Sequence, residues 1–144
     1  MLSRVAENVY WMARYVERVE NIARLLDVNN HLQLDTAPGE DGQWMPLISI
    51  MADEERFFKR HRVATQDTVT HFMACDPENP NSIVSCLRAA RENARSIREI
   101  ISSDMWLQLN TMYLMMSEKA PAAPKKSRRK SWAACASAAI CSSA

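Results

Sequence analysis

Val5-Ala6-Glu7-Asn8-Val9-Tyr10-Trp11-Met12-Ala13-Arg14-Tyr15-Val16-Glu17-Arg18-Val19-Glu20-Asn21-Ile22-Ala23-Arg24-Leu25-Leu26 is the stretch on which the fold turns. Val5, Val9, Met12, Val16, Val19, Ala23 and Leu26 follow one another at spacings of 4, 3, 4, 3, 4 and 3. That is an unbroken helical seam built to pack against another helix. Trp11, Tyr15 and Ile22 widen the apolar face, and so wide an arc belongs inside a bundle. With Ser3 as N-cap, the pattern predicts a first helix over 3–34.

The rest of the chain agrees with an all-α reading. Only 2 of 144 residues are glycine, both inside Pro38-Gly39-Glu40-Asp41-Gly42. A β-rich domain of this length needs many Gly-favouring turns. A Gly-rich phosphate loop is excluded, because neither GxGxxG nor GxxxxGK occurs. Hydrophobic residues at 47% and charged residues at 24% exclude wholesale disorder.

After a loop over 35–43, a second helix is expected over 45–61, with Pro46 in its first turn. A short third helix opens at Thr65 or Gln66 and runs through Met73. Asp76-Pro77-Glu78-Asn79-Pro80 then interrupts the chain. Asn81 or Ser82 caps a fourth helix with the seam Ile83, Leu87, Ala90, Ala94, Ile97 and Ile101. Ser102-Ser103-Asp104 is a break, and a fifth helix follows over 105–116. The expected core joins Val9, Met12, Val16, Val19 and Ala23 to Ile83, Leu87, Ala90, Ala94 and Ile97. Trp11, Trp44, Trp106 and the methionines 105, 112, 115 and 116 are read as core packing.

Charge divides the chain. Residues 118–144 hold six of the 18 basic residues and one of the 17 acids, which leaves twelve and sixteen in 1–117. The body is thus about −4 and the tail about +5. An acidic body is a poor nucleic-acid surface, so no nucleic-acid partner is expected. The tail, rich in Ala, Ser, Lys and Arg and without periodicity, reads as disordered; its run Lys125–Lys130 is the one segment suited to a nucleic-acid or membrane surface. No signal-peptide core and no apolar run of about 20 residues is present, so no membrane span is expected. Cys75, Cys86, Cys135 and Cys141 form no CxxC pair, and reduced thiols in a cytoplasmic protein are the simplest reading.

Two charged stripes flank the seams. Glu17, Glu20, Arg24 and Asp27 recur at 3, 4, 3 on the first helix, and Arg88, Arg91, Arg95 and Arg98 at 3, 4, 3 on the fourth. If the seams pack together, the stripes come close and pair. One reading is an ion network that fixes register. The other is a polar pocket in which surplus arginine binds an anion; five arginines face three acids. No metal is expected: a di-metal bundle wants Glu-x-x-His pairs, and His31, His61 and His71 lack them. No cofactor is expected, and a nucleophile triad has no local support. His61, between Lys59, Arg60 and Arg62, reads as part of a solvated face.

The opening Met1–Arg24 resembles the alpha-E domain family, a bacterial helical family with a Glu-Arg motif, here Glu17-Arg18. Trp44-Met45-Pro46-Leu47, Asp76 through Ile83, Ala90 through Glu99 and Met105 through Asn110 resemble it too. The resemblance covers about 1–117. It implies an uncharacterised helical protein, typically encoded beside an ATP-grasp ligase-like and a transglutaminase-like protein. A non-catalytic role with these partners in peptide modification follows as an expectation. The motif positions present are Arg14, Tyr15, Glu17, Arg18, Glu20, Asn21 and Arg24, with Arg91, Asn93, Arg95 and Arg98; with Arg88 they make the candidate polar pocket, and they carry no known catalytic role. Members are roughly twice this length or more, so a truncated version of a longer helical domain is expected, with 118–144 a frameshifted tail. Seams left uncovered by truncation would drive self-association.

Overall fold

The computed structural model describes residues 2–34 and 44–122. Those residues form six helices and no strand: α1 (Leu2–Leu34), α2 (Met45–Ile50), α3 (Glu54–Phe58), α4 (Gln66–Thr70), α5 (Ile83–Ser96) and α6 (Ser103–Ala122). A π-helical turn, His71–Cys75, extends α4. α5 is the middle of the bundle, packed against α1 on one side and α6 on the other.

Local chemistry sets most boundaries. Thr65 caps α4 through a reciprocal pair with Thr68, and Ser82 caps α5 by accepting from the Ser85 amide at 3.2 Å. Ser102 accepts from the Met105 amide at 3.2 Å and so opens α6.

Three boundaries depart from the sequence expectation. The helix expected over 45–61 is two helices, because the chain turns at Ala52, whose φ of 53° is left-handed. Asp53 holds that turn: its buried carboxylate accepts from Asn81 Nδ2 at 2.8 Å and from Arg56 at 3.0 Å. α5 stops at Ser96 rather than near Ile101. Asn93 and Ser96 side chains donate to the carbonyls of Ala89 and Glu92 in its last turns, which loosens the backbone ladder there. α6 runs on through Ala122, so the first residues of the expected tail, 118–122, are helical. The remainder of that tail, and the loop over 35–43, lie outside the described residues.

The core is close to the expected one. Met12, Val19, Ala23, Ile83, Leu87, Ala90, Ala94 and Ile97 are buried. Val9 is not: it is 39% exposed, and Val16 is only half-buried. The cause is length. At about 1.5 Å per residue α1 is about 50 Å long and α5 about 21 Å, so the first turns of α1 overhang. Tyr10 and Trp11 are exposed there, contrary to the reading of Trp11 as core, and Met105 is exposed on α6. Trp44, Met112 and Met116 are buried as expected.

A cluster of buried polar groups closes the far end of the core. Asp76, 2% exposed, accepts from Arg60 at 3.0 Å and from the Glu78 amide at 3.0 Å. Its carbonyl receives the Ser82 hydroxyl at 2.6 Å, and Asn79 Nδ2 donates to the Phe72 carbonyl at 3.0 Å. Phe57 meets Phe72 edge-to-face at 5.3 Å beneath it. His61 stacks on Phe57 at 5.0 Å, so it is half-buried and not a fully solvated side chain.

Removing the Asp76 carboxylate strands the Glu78 amide and Arg60. Asp76→Ala is expected to cost about 2–3 kcal/mol, less than a fully buried pair because Arg60 is half in water. Arg60→Ala is expected to cost about 1 kcal/mol or less. Urea denaturation of the two variants checks the order.

Candidate functional site

Adjacent residues on a helix point about 100° apart, and this splits the Glu17-Arg18 pair. Glu17 faces outward and takes Arg14 at 2.6 Å. Arg18 turns inward, with its guanidinium 5.8 Å from the centre of the Tyr15 ring and beside the Cys86 thiol of α5. Cys86 is fully buried, and its Sγ donates to the Pro80 carbonyl at 3.7 Å. Burial pushes the thiol pKa up, and the charge and hydrogen bond of Arg18 oppose that rise.

The two charged stripes do not meet. Among the described residues, no ion pair joins Glu17, Glu20 or Asp27 to Arg88, Arg91, Arg95 or Arg98. The pairs form within each helix: Glu20 pairs with Arg24, Asp27 with His31 at 3.6 Å, and Glu92 with Arg95 at 2.8 Å and Arg91 at 3.3 Å. Helix geometry explains the separation. Cys86 and Ala90 share one side of α5, and Arg91 lies about 100° round from it. Since Cys86 faces α1, that second side belongs to α6. There Arg91 Nε donates to Asn110 Oδ1 at 2.6 Å. Its guanidinium stands 5.8 Å from the Trp106 ring centre and 5.2 Å from that of Tyr113. Arg98 covers Trp106 as well, at 5.4 Å. The arginines meet aromatic rings where acids were expected. Trp106, Asn110 and Tyr113 recur at 4 and 3, a spacing visible in the sequence that the search for acids passed over.

The remaining stripe residues are on the surface. Arg95 is exposed, as are Asn21 and Arg24, which line a shallow depression of about 490 Å³ with Leu25 and Leu47. Arg88 lines a cavity of about 310 Å³ with His71, Cys75, Tyr113 and Ser117.

A groove of about 570 Å³ lies between α1, α5 and α6. Met12, Val16, Leu87, Met105, Leu109 and Met112 make its floor. Glu17, Glu20 and Asp104 make its rim, and no arginine lines it. The sequence reading names Glu17 and Glu20 but misses Asp104, which it counts only as a helix break. Among the described residues no group of three His, Cys, Asp or Glu side chains is placed to hold a metal ion. None of the described helices is long and apolar enough to cross a membrane.

A family described as "a predicted alpha-helical domain with a conserved ER motif" matches residues 1–141 of this sequence. The chain belongs to the Alpha-E family. The match runs well past Ser117, where the sequence reading ends the resemblance. The uncharacterized protein Mb2597 of Mycobacterium bovis is 25% identical over 120 residues, which cover 74% of this chain and 14% of that protein. The uncharacterized protein Rv2567 of Mycobacterium tuberculosis is 24% identical over the same shares. The chain therefore spans about 14% of the length of the curated relatives it matches. No solved structure matches.

Three expectations follow for this Alpha-E chain. Arg91→Ala removes two ring contacts and a hydrogen bond, and is expected to cost about 1–2 kcal/mol, whereas exposed Arg95→Ala costs less than about 0.5 kcal/mol. The Cys86 thiol, its pKa raised on folding, stabilises fully below the unfolded thiol pKa and loses that contribution as pH rises through the folded one. The melting-temperature gap between wild type and Cys86→Ala is expected to narrow above about pH 9. Mass-spectrometric mapping of iodoacetamide labelling should find Cys86 at least about tenfold slower than a free thiol.

Proposed function

We propose that this Alpha-E chain is a non-catalytic, cytoplasmic helical partner of an ATP-grasp ligase-like and transglutaminase-like peptide-modifying system. The observation that supports this is the groove between α1, α5 and α6. An apolar floor with three acids on its rim suits the side chains of another polypeptide better than a small anion. Most of the arginines that would have gathered an anion already have partners: Arg91 and Arg98 stand over Trp106, and Arg14 and Arg24 pair at the surface with Glu17 and Glu20. The exposed overhang of α1, with Tyr10 and Trp11, offers further apolar surface to a partner.

A second reading, an enzyme or ligand-binding protein for an anion such as a nucleotide or acidic peptide, has one observation of its own. Arg88 shares its cavity with His71, Tyr113 and Ser117, a set able to hold an oxyanion.

Co-expression with an ATP-grasp ligase-like protein separates the two. The partner reading expects co-purification that Met112→Lys, which puts a charge on the floor, lowers at least about tenfold. It is overturned if the proteins never associate, or if Met112→Lys binds as wild type. The anion reading expects nucleotides or acidic peptides to raise the melting temperature and Arg88→Ala to abolish the rise.

A further inference from the structure

The groove between α1, α5 and α6 has a floor and two banks, and each constrains what can lie in it. We infer that it receives a basic amphipathic helix of another polypeptide, with about two turns in contact, apolar side chains on the floor and Lys or Arg against both banks. This rests on the reading of the groove as a partner surface and adds what that surface selects.

The floor selects a helix. Met12, Val16, Leu87, Met105, Leu109 and Met112 offer an incoming backbone no hydrogen-bond donor and at best a weak thioether acceptor. An extended segment laid on them would leave amides and carbonyls unpaired, and the described residues contain no strand whose edge could take them. A helix satisfies its own backbone and brings only side chains to the floor. Length agrees. The lining runs from Met12 to Glu20 on α1 and from Asp104 to Met112 on α6, about 12 Å along each helix. Apolar residues at i, i+3 or i+4, and i+7 of an incoming helix span about 11 Å, so three anchors fill the floor. Methionines make up half of that floor, and their unbranched, polarizable side chains adapt to anchors of differing shape.

Charge selects the flanks. Glu17 and Glu20 stand on the α1 bank and Asp104 on the α6 bank, and no base lines the groove. Glu17 and Glu20 each hold one arginine of their own helix. Asp104 makes no ion pair among the described residues. Acids on both banks call for bases on both sides of the incoming apolar stripe, as at the e and g positions of a heptad. A second copy presenting the same groove would set acids against acids, which like-charge repulsion disfavours.

Fluorescence anisotropy of three labelled peptides, each about 16 residues long, on the full chain tests this. One carries Leu at a and d with Lys at e and g, one has Glu in place of Lys, and one is the first scrambled. In about 50 mM salt the Lys helix is expected to bind at least about tenfold tighter than the other two and to gain helical circular dichroism on binding. Asp104→Asn and Met105→Ser, both at exposed positions, should each weaken it at least about threefold. Glu7→Gln, which changes an exposed acid away from the groove, should bind as wild type. The inference is overturned if the Lys peptide does not bind, if the Glu or scrambled peptide binds as tightly, or if no helix is gained. It is also overturned if Asp104→Asn and Met105→Ser both bind as wild type, or if affinity falls as protein concentration rises, which assigns the groove to a second copy. The partner reading fails separately: an ATP-grasp ligase-like protein held through Met112 while the Lys peptide stays unbound leaves that reading standing and removes this one. Peptide binding without co-purification does the reverse.

Discussion

Everything in this bundle depends on α5 being approached from two directions at once. Ala90 and Ala94 are fully buried, and side chains this short let neighbouring backbones come close. With α1 against the side of Cys86 and Ala90, and α6 against the side of Arg91, only Leu87 and Ala94 look between the two neighbours. Leu87 is accordingly the α5 residue that reaches the groove floor. The groove is thus a by-product of a crossing: two helices diverge from a third, and the space between them is lined by what each turns inward.

The same geometry governs the electrostatics. A flanking stripe on a helix with one neighbour faces solvent or that neighbour. On a helix with two neighbours, one flank becomes a second interface. The arginine flank of α5 therefore lost most of its access to the acids of α1 and gained indole and phenol rings. Flat guanidinium groups suit such a place, because they stack on rings and still donate in the ring plane. The acids of α1 were left to partners one turn away, with their outer edges toward water and the groove.

Much of the architecture was legible because it rests on period and capping. The seam from Met12 to Leu26, the Ser82 cap and the break at Ser102 are local signals, and they survive folding unchanged. What could not be read depended on contacts far apart in sequence. Ala52 carries no turn signal, and its left-handed backbone follows from Asp53 being held by Asn81. The stripes at Glu17 and Arg88 were visible, but spacing alone states which residues share a flank and not which neighbour takes it. The Glu17-Arg18 motif is a small case of the same limit: side by side in sequence, the two charges point about 100° apart and serve different surfaces of α1.

The π-helical turn at His71–Cys75 is the mark of one residue more than an α-helix would hold. There the Asp76 amide donates to the His71 carbonyl at 3.0 Å, five residues back. Such an insertion shifts the phase of everything after it by about 100°. The Asp76 carboxylate that directly follows the turn is held by Arg60 at 3.0 Å, so removing one residue from the turn would swing that buried acid away from its partner.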